Sequence, residues 1–290
     1  MTSTHLSPVW SAGAALAVAL PWLWPWASPP VPAAPGLLAA WGFTALLWLC
    51  LRWRGPHVDK MDDMSISLPL LLLAPSWAAW HMPVLDLTLL GGWAGSLLCM
   101  GVAARCLRQG GASLCQALAW GLLAAACLSS FLGLWQYLGL LRTPDTFWTW
   151  LHASPQEEAF GQLRQRNQFG SLMSLGLAAW LYLSRVGWPS RMPPGLAWAS
   201  LTLLALGAAT SSSRTAALTW LMLCLLALWP GSSAQPNQSG PTTRQGALIA
   251  LLGFFIFSGV LPWLAGFIDT ATLPKLSALE RLATQTEGRD

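Results

Sequence analysis

Residues 111–141 read GASLCQALAWGLLAAACLSSFLGLWQYLGLL, without one charged side chain. A hydrocarbon core about 30 Å thick is crossed by ~20 apolar residues in a helix. This run is long enough to span and to emerge. Working outward, the same pattern recurs. No charge occurs between Leu6 and Leu51, between Met192 and Ser213, or between Thr215 and Thr243. Only 9% of the chain is charged and 54% is hydrophobic. A water-soluble domain of similar length carries about 25% charged residues. The sequence therefore predicts an all-α fold: a polytopic membrane helix bundle of about nine transmembrane helices. The spans fall near 8–26, 36–52, 64–80, 84–104, 112–141, 168–186, 194–211, 214–230 and 246–266.

Twenty tryptophans fit that class, because indole sits well at the headgroup level. Trp22, Trp24 and Trp26 form one such belt; Trp77 with Trp80 and Trp148 with Trp150 form others. The same rings also suit packing between helices. Net charge is 15 − 11 = +4, with no clustered basic face, which argues against nucleic-acid binding. Cys50, Cys99, Cys106, Cys115, Cys127 and Cys224 lie in or beside apolar runs without CxxC spacing and read as small core residues. The N-terminus lacks Lys and Arg, and Pro21 and Pro25 interrupt the first apolar run, so that run is expected to remain as a helix.

The chain divides into four parts: 1–141, N-terminal transmembrane helices; 142–167, a polar loop; 168–266, further transmembrane helices; and 267–290, the start of another large loop. Lys and Arg favour cytoplasmic loops. With the N-terminus inside, cytoplasmic loops hold Arg52, Arg54, Lys60, Arg105, Arg108, Arg185, Arg191 and Arg244. The opposite side, before the tail, holds only Arg142, Arg164, Arg166 and Arg214. All four are arginines on two loops, against the general bias, which points to a use for them.

The first of those loops contains Gln156-Glu157-Glu158 and then Arg164-Gln165-Arg166-Asn167-Gln168, running straight into an apolar span. Guanidinium and amide donors at a helix start, where the dipole is positive, suit an anion, with phosphate the first guess. The plain alternative is a solvated loop with its arginines paired to Glu157 and Glu158. The second loop is Thr210-Ser211-Ser212-Ser213-Arg214-Thr215. Ser213 is a candidate N-cap, and Arg214 is either a snorkelling surface residue or a ligand-binding one. His5, His57, His81 and His152 show no metal-ligand spacing. His152 reads as a surface residue, with an acid–base role as the alternative. His57 with Asp59, Asp62 and Asp63 reads as a solvated loop, and Asp86 as a helix cap.

Phe160-Gly161-Gln162-Leu163-Arg164-Gln165-Arg166-Asn167-Gln168-Phe169 resembles the glutamine-x-asparagine segment of bacterial O-antigen ligases and protein O-oligosaccharyltransferases (protein glycosylation ligases). Arg166 stands where many members have proline. Ser213-Arg214-Thr215-Ala216 resembles the serine-arginine-threonine turn of the same family, two spans later. The likeness covers roughly residues 130–290. It implies an inner-membrane glycosyltransferase that takes a glycan from undecaprenyl pyrophosphate on the periplasmic side. The acceptor would be a hydroxyl of a pilin-like protein or a lipid A core sugar, and neither metal nor other cofactor would be needed. Its implied partners are a lipid-linked oligosaccharide, that acceptor and the bilayer, with no nucleic acid. Gln165, Asn167 and Arg214 match family positions; Arg164 and Arg166 join them on charge alone, and Arg289 aligns loosely with another family arginine. The family's essential histidine would fall beyond Asp290, so the catalytic residue is unassigned and the 290 residues alone are expected to be inactive. An O-antigen polymerase, a transporter without transferase chemistry and a non-catalytic scaffold are the rival readings. The lack of charge within the later spans counts against ion coupling.

Overall fold

The computed structural model describes residues 8–23, 42, 87–138, 159–163, 165–188, 193–229 and 241–268. Among these the regular structure is entirely helical: α1 (Pro8–Leu23), α2 (Leu87–Tyr137), α3 (Arg166–Val186), α4 (Pro194–Thr210), α5 (Arg214–Leu228) and α6 (Thr243–Ile268). Among the described residues, three stretches are long and apolar enough to cross a membrane: Gly111–Tyr137, Arg166–Val186 and Thr243–Leu264. Val9–Leu23, α4 and α5 are shorter apolar helices. The expected spans 36–52 and 64–80 lie outside the described residues, apart from position 42.

Helix limits follow local chemistry. Pro194 opens α4 in the first turn, where its missing N–H costs nothing. Gly187, at φ 105°, ends α3 and donates its N–H to Leu183 O. One expected loop is absent. Spans near 84–104 and 112–141 are joined with no coil between them, because helix continues to Gly111 and breaks there alone (φ 59°, ψ −154°). A residue without Cβ reaches that conformation cheaply, so a single position supplies the bend.

The chain forms two units, one of residues 1–21 and 28–118, the other of 22–27 and 119–290. In the second, α3 to α6 pack around Phe169, Leu172, Met173, Trp180, Leu204 and Trp220, each no more than 0% exposed. Lipid is as apolar as leucine, so helices in it are held by close packing and by interhelical hydrogen bonds. Both are present. Trp180 Nε1 donates to Ala197 O on α4 at 2.9 Å, and Trp220 Nε1 to Ala250 O on α6 at 3.1 Å. Ser184 on α3 donates to Thr243 Oγ1 on α6 at 3.1 Å. Glycines mark the close approaches: Gly207 against Ser130 and Met173, and Gly246 against the Trp180 ring.

These contacts fix direction. The end of α3 meets the start of α4, and the tight turn 211–213 reverses α4 into α5. So α3 and α5 run parallel, and their starts lie at one end of the bundle.

Both faces of α6 are apolar. Gly246, Ala247, Ala250, Phe254 and Leu261 turn inward, while Leu248, Ile249, Leu252, Ile256 and Trp263 are exposed. In water that outer face would be polar. An apolar outer face fits a lipid surround.

Candidate functional site

At the common end of α3 and α5 the two polar sequence motifs meet. Gln165 is extended (φ −139°, ψ 121°) and precedes α3, but its side chain makes no capping bond. Ser213 is extended before α5 (φ −92°, ψ 121°) and caps it, accepting from Ala216 N at 3.3 Å. Ser213 Oγ also donates to Asn167 Oδ1 at 3.0 Å, across 46 positions of sequence. The helices can close this far because residue 170 is glycine. A Cβ there would overlap Ala216 Cβ and stand 3.2 Å from Ser213 Cβ.

The turn that delivers Ser213 is tightly tied. Thr210 Oγ1 donates to Gly207 O at 3.0 Å, and Ser211 Oγ to Ala208 O at 2.7 Å. Ser211 Oγ in turn accepts from Ser213 N at 3.3 Å. Between them Ser212 adopts φ 49°, a left-handed conformation that costs a non-glycine residue ~1–2 kcal/mol. Thr210 to Ser213 are all buried. The hydroxyls of Thr210, Ser211 and Ser213 thus hold one strained corner.

Beneath the start of α3, residues 159–163 are fastened to α2 and α4. Ala159 N donates to Thr210 O at 3.2 Å. Phe160 N and Gly161 N both donate to Gln136 Oε1, at 2.9 and 3.0 Å. Gly161 needs its glycine: φ is 54°, and a Cβ would lie 3.3 Å from Ser129 O. Gln162, 1% exposed, donates through Nε2 to Ser129 Oγ at 2.7 Å and to Trp22 O at 3.0 Å. Its Oε1 is buried with no hydrogen-bond partner among the described residues.

Of the residues singled out in the sequence, Gln165, Arg166, Asn167 and Arg214 come together at this end. Arg166 and Arg214 are each the first residue of a helix, and both are half-buried; Gln165 and Asn167 are exposed. Arg164 lies outside the described residues, as do Arg142, His152, Glu157, Glu158 and Arg289. Ser213 is the N-cap its sequence context indicated. Sequence reasoning passed over Ser129, Gln136 and the buried role of Gln162. Ser129 and Gln136 are seven apart in the charge-free run, hence on one face of a helix, and that spacing was the available signal.

Two parallel helix starts side by side each contribute about half a positive charge, and two arginines stand at them. Such a place favours a ligand with two or more negative charges. Among the described residues no three His, Cys, Asp or Glu side chains group as metal ligands. Comparison of the chain with family models, with characterised proteins and with solved structures finds no match.

Proposed function

We propose that this chain is a glycosyltransferase-like membrane protein that moves a glycan from undecaprenyl pyrophosphate to a protein hydroxyl or a lipid A core sugar. Its N-terminus would be cytoplasmic, with the paired helix starts on the periplasmic side of a bacterial inner membrane and about nine spans in all. The observation that carries this reading is the 3.0 Å bond from Ser213 to Asn167. It joins the two segments whose sequences resemble the ligase family, and it sets Arg166 and Arg214 at neighbouring helix starts.

The chemistry would be displacement at the anomeric carbon. The acceptor oxygen forms a bond to that carbon, and the bond to the pyrophosphate oxygen breaks. Negative charge then grows on the leaving diphosphate. Arg166 and Arg214, with Arg164, would hold it through bidentate donors, and the α3 and α5 dipoles would add to them. Gln165 and Asn167 would orient sugar or phosphate oxygens. The acceptor hydroxyl's proton would go to a base, which the family resemblance gives as a histidine.

The test is binding of undecaprenyl pyrophosphate to the purified chain in lipid nanodiscs. Undecaprenyl monophosphate serves as competitor. The expected result is preference for the diphosphate, weakened roughly 10- to 100-fold by Arg214→Ala, the effect of one charged hydrogen-bonding group. Arg214→Lys should recover little, because ammonium lacks the planar fork. Equal binding by wild type and Arg214→Ala would refute the assignment.

A further inference from the structure

We infer that the paired helix starts sit below the membrane surface, in a water-filled notch open along the seam between α3 and α5. Three independent contacts give the height of the site on α6. Trp220 is bonded to Ala250, and Ser213 lies seven residues before Trp220; seven residues on from Ala250 in the antiparallel α6 is Phe257. A Cβ on Gly253 would stand 3.4 Å from Ala205 Cβ, and Ser211 lies six residues on; six from Gly253 in the parallel α6 is Gly259. Gly246 abuts Trp180, and Asn167 lies thirteen residues before it; thirteen from Gly246 is again Gly259.

So the turn is level with residues 257–259, and α6 runs on to Ile268. Nine to eleven further residues, Pro262 among them, rise at most about 14–16 Å, the proline bending the helix on the way. That continuation is not a stalk in water. Val260, Trp263 and Leu264 are exposed and apolar. α4 and α5 are short by the same reckoning, whereas α3, at 21 residues, is about 31 Å long. At 1.5 Å per residue α4 and α5 are about 25 and 22 Å long, against a hydrocarbon core of about 30 Å.

Polar groups line the seam at that depth. Successive helical residues turn by ~100°, and α3 and α5 are parallel and joined at Gly170 and Ala216. Asn167 and Ser171 on α3 therefore share one side of the seam with Thr215 and Thr219 on α5, and all four are exposed. One to two turns deeper the exposed residues become Leu175 and Met222. Hydrocarbon cannot satisfy the exposed Asn167 amide or the exposed hydroxyls beside it. Water can, if the lipid is held away by the longer α6. Such a notch is needed whichever anion binds.

The test uses single cysteines at Ser171, Thr215, Thr219, Leu252, Val260 and Leu264, in a chain whose six native cysteines are alanine. A membrane-impermeant cationic thiosulfonate is added to right-side-out and to inverted vesicles. The reagent attacks thiolate, which forms only where water reaches. Expected is labelling of Ser171→Cys, Thr215→Cys and Thr219→Cys from one side only, at least about ten-fold faster than Leu252→Cys, Val260→Cys and Leu264→Cys. In the unmodified chain, hydrogen exchange in nanodiscs should be faster at amides 166–171 than at 257–261, 263 and 264. Slow labelling of all the seam positions would mean the seam is sealed. Labelling of Val260→Cys and Leu264→Cys as fast as Thr215→Cys would place the site at the surface. Either result overturns the notch, and neither depends on glycan transfer.

Discussion

At Ser213 one hydroxyl does two jobs, accepting from Ala216 N within its own helix and donating to Asn167 on another. The two jobs separate by mutation. Asn167→Ala removes only the interhelical bond, worth about 0.6 kcal/mol between helices in a membrane. Ser213→Ala removes that bond and the cap, and a lost cap costs about 1 kcal/mol. Reversible denaturation in mixed micelles should therefore rank Ser213→Ala below Asn167→Ala, with both below wild type. The double variant should be about as unstable as Ser213→Ala alone. Strict additivity of the two losses would show that the side chains are not coupled. Arg166 and Arg214 belong to a different account. They stand at helix starts, where positive charge opposes the dipole.

Within the elements, packing is decided by which glycines have neighbours. A methyl on Gly246 would run into Cζ3 of Trp180, a ring fully buried and tied by its own Nε1 to Ala197. Gly259, on the same helix, has nothing within 4 Å of where its Cβ would be. Gly246→Ala should destabilise by about 1–3 kcal/mol through overpacking. Gly259→Ala should be neutral or stabilising, by up to about 1 kcal/mol of helix propensity. Thermal unfolding of the two purified variants checks the contrast, and equal stability would mean α6 does not seat on Trp180. The helices themselves were largely legible in the sequence. Expected limits of 168–186, 194–211, 214–230 and 246–266 met observed ones of 166–186, 194–210, 214–228 and 243–268. Arginine, proline and serine punctuate those ends, and such residues act locally. The meeting of Asn167 with Ser213 was not legible, because it depends on Gly170 letting two non-adjacent helices close. Nor was the fastening of residues 160–161 to Gln136. A glutamine in an apolar run does not announce which distant N–H groups it will accept from.

At the scale of the molecule, one physical condition organises the rest: among the described residues, the outward faces of α5 and α6 are apolar. Mean hydropathy is +0.51, and the outward residues of α5 and α6 include Leu218, Met222, Leu225, Leu248, Leu252 and Ile256. If lipid surrounds this face, a charge placed on it is expensive, whereas in water the same change would improve solubility. Leu252 is the sharpest position. It is 59% exposed, has no charged neighbour within a turn and lies near the middle of α6, so its side chain cannot reach either interface easily. Leu252→Arg should cost about 2.5–3.5 kcal/mol on the insertion scale for a helix centre. Arg at position 245, near the start of the helix beside Arg244, should cost little by comparison. The measurement is the membrane-integrated fraction of each variant after expression, read by alkaline extraction. Leu252→Arg should fall well below wild type, and Gln245→Arg should stay close to it. A Leu252→Arg protein that integrates and purifies like wild type would mean that this face meets water or another chain. The depth assigned to the paired helix starts would then lose its reference, because it is measured against α6 lying in lipid.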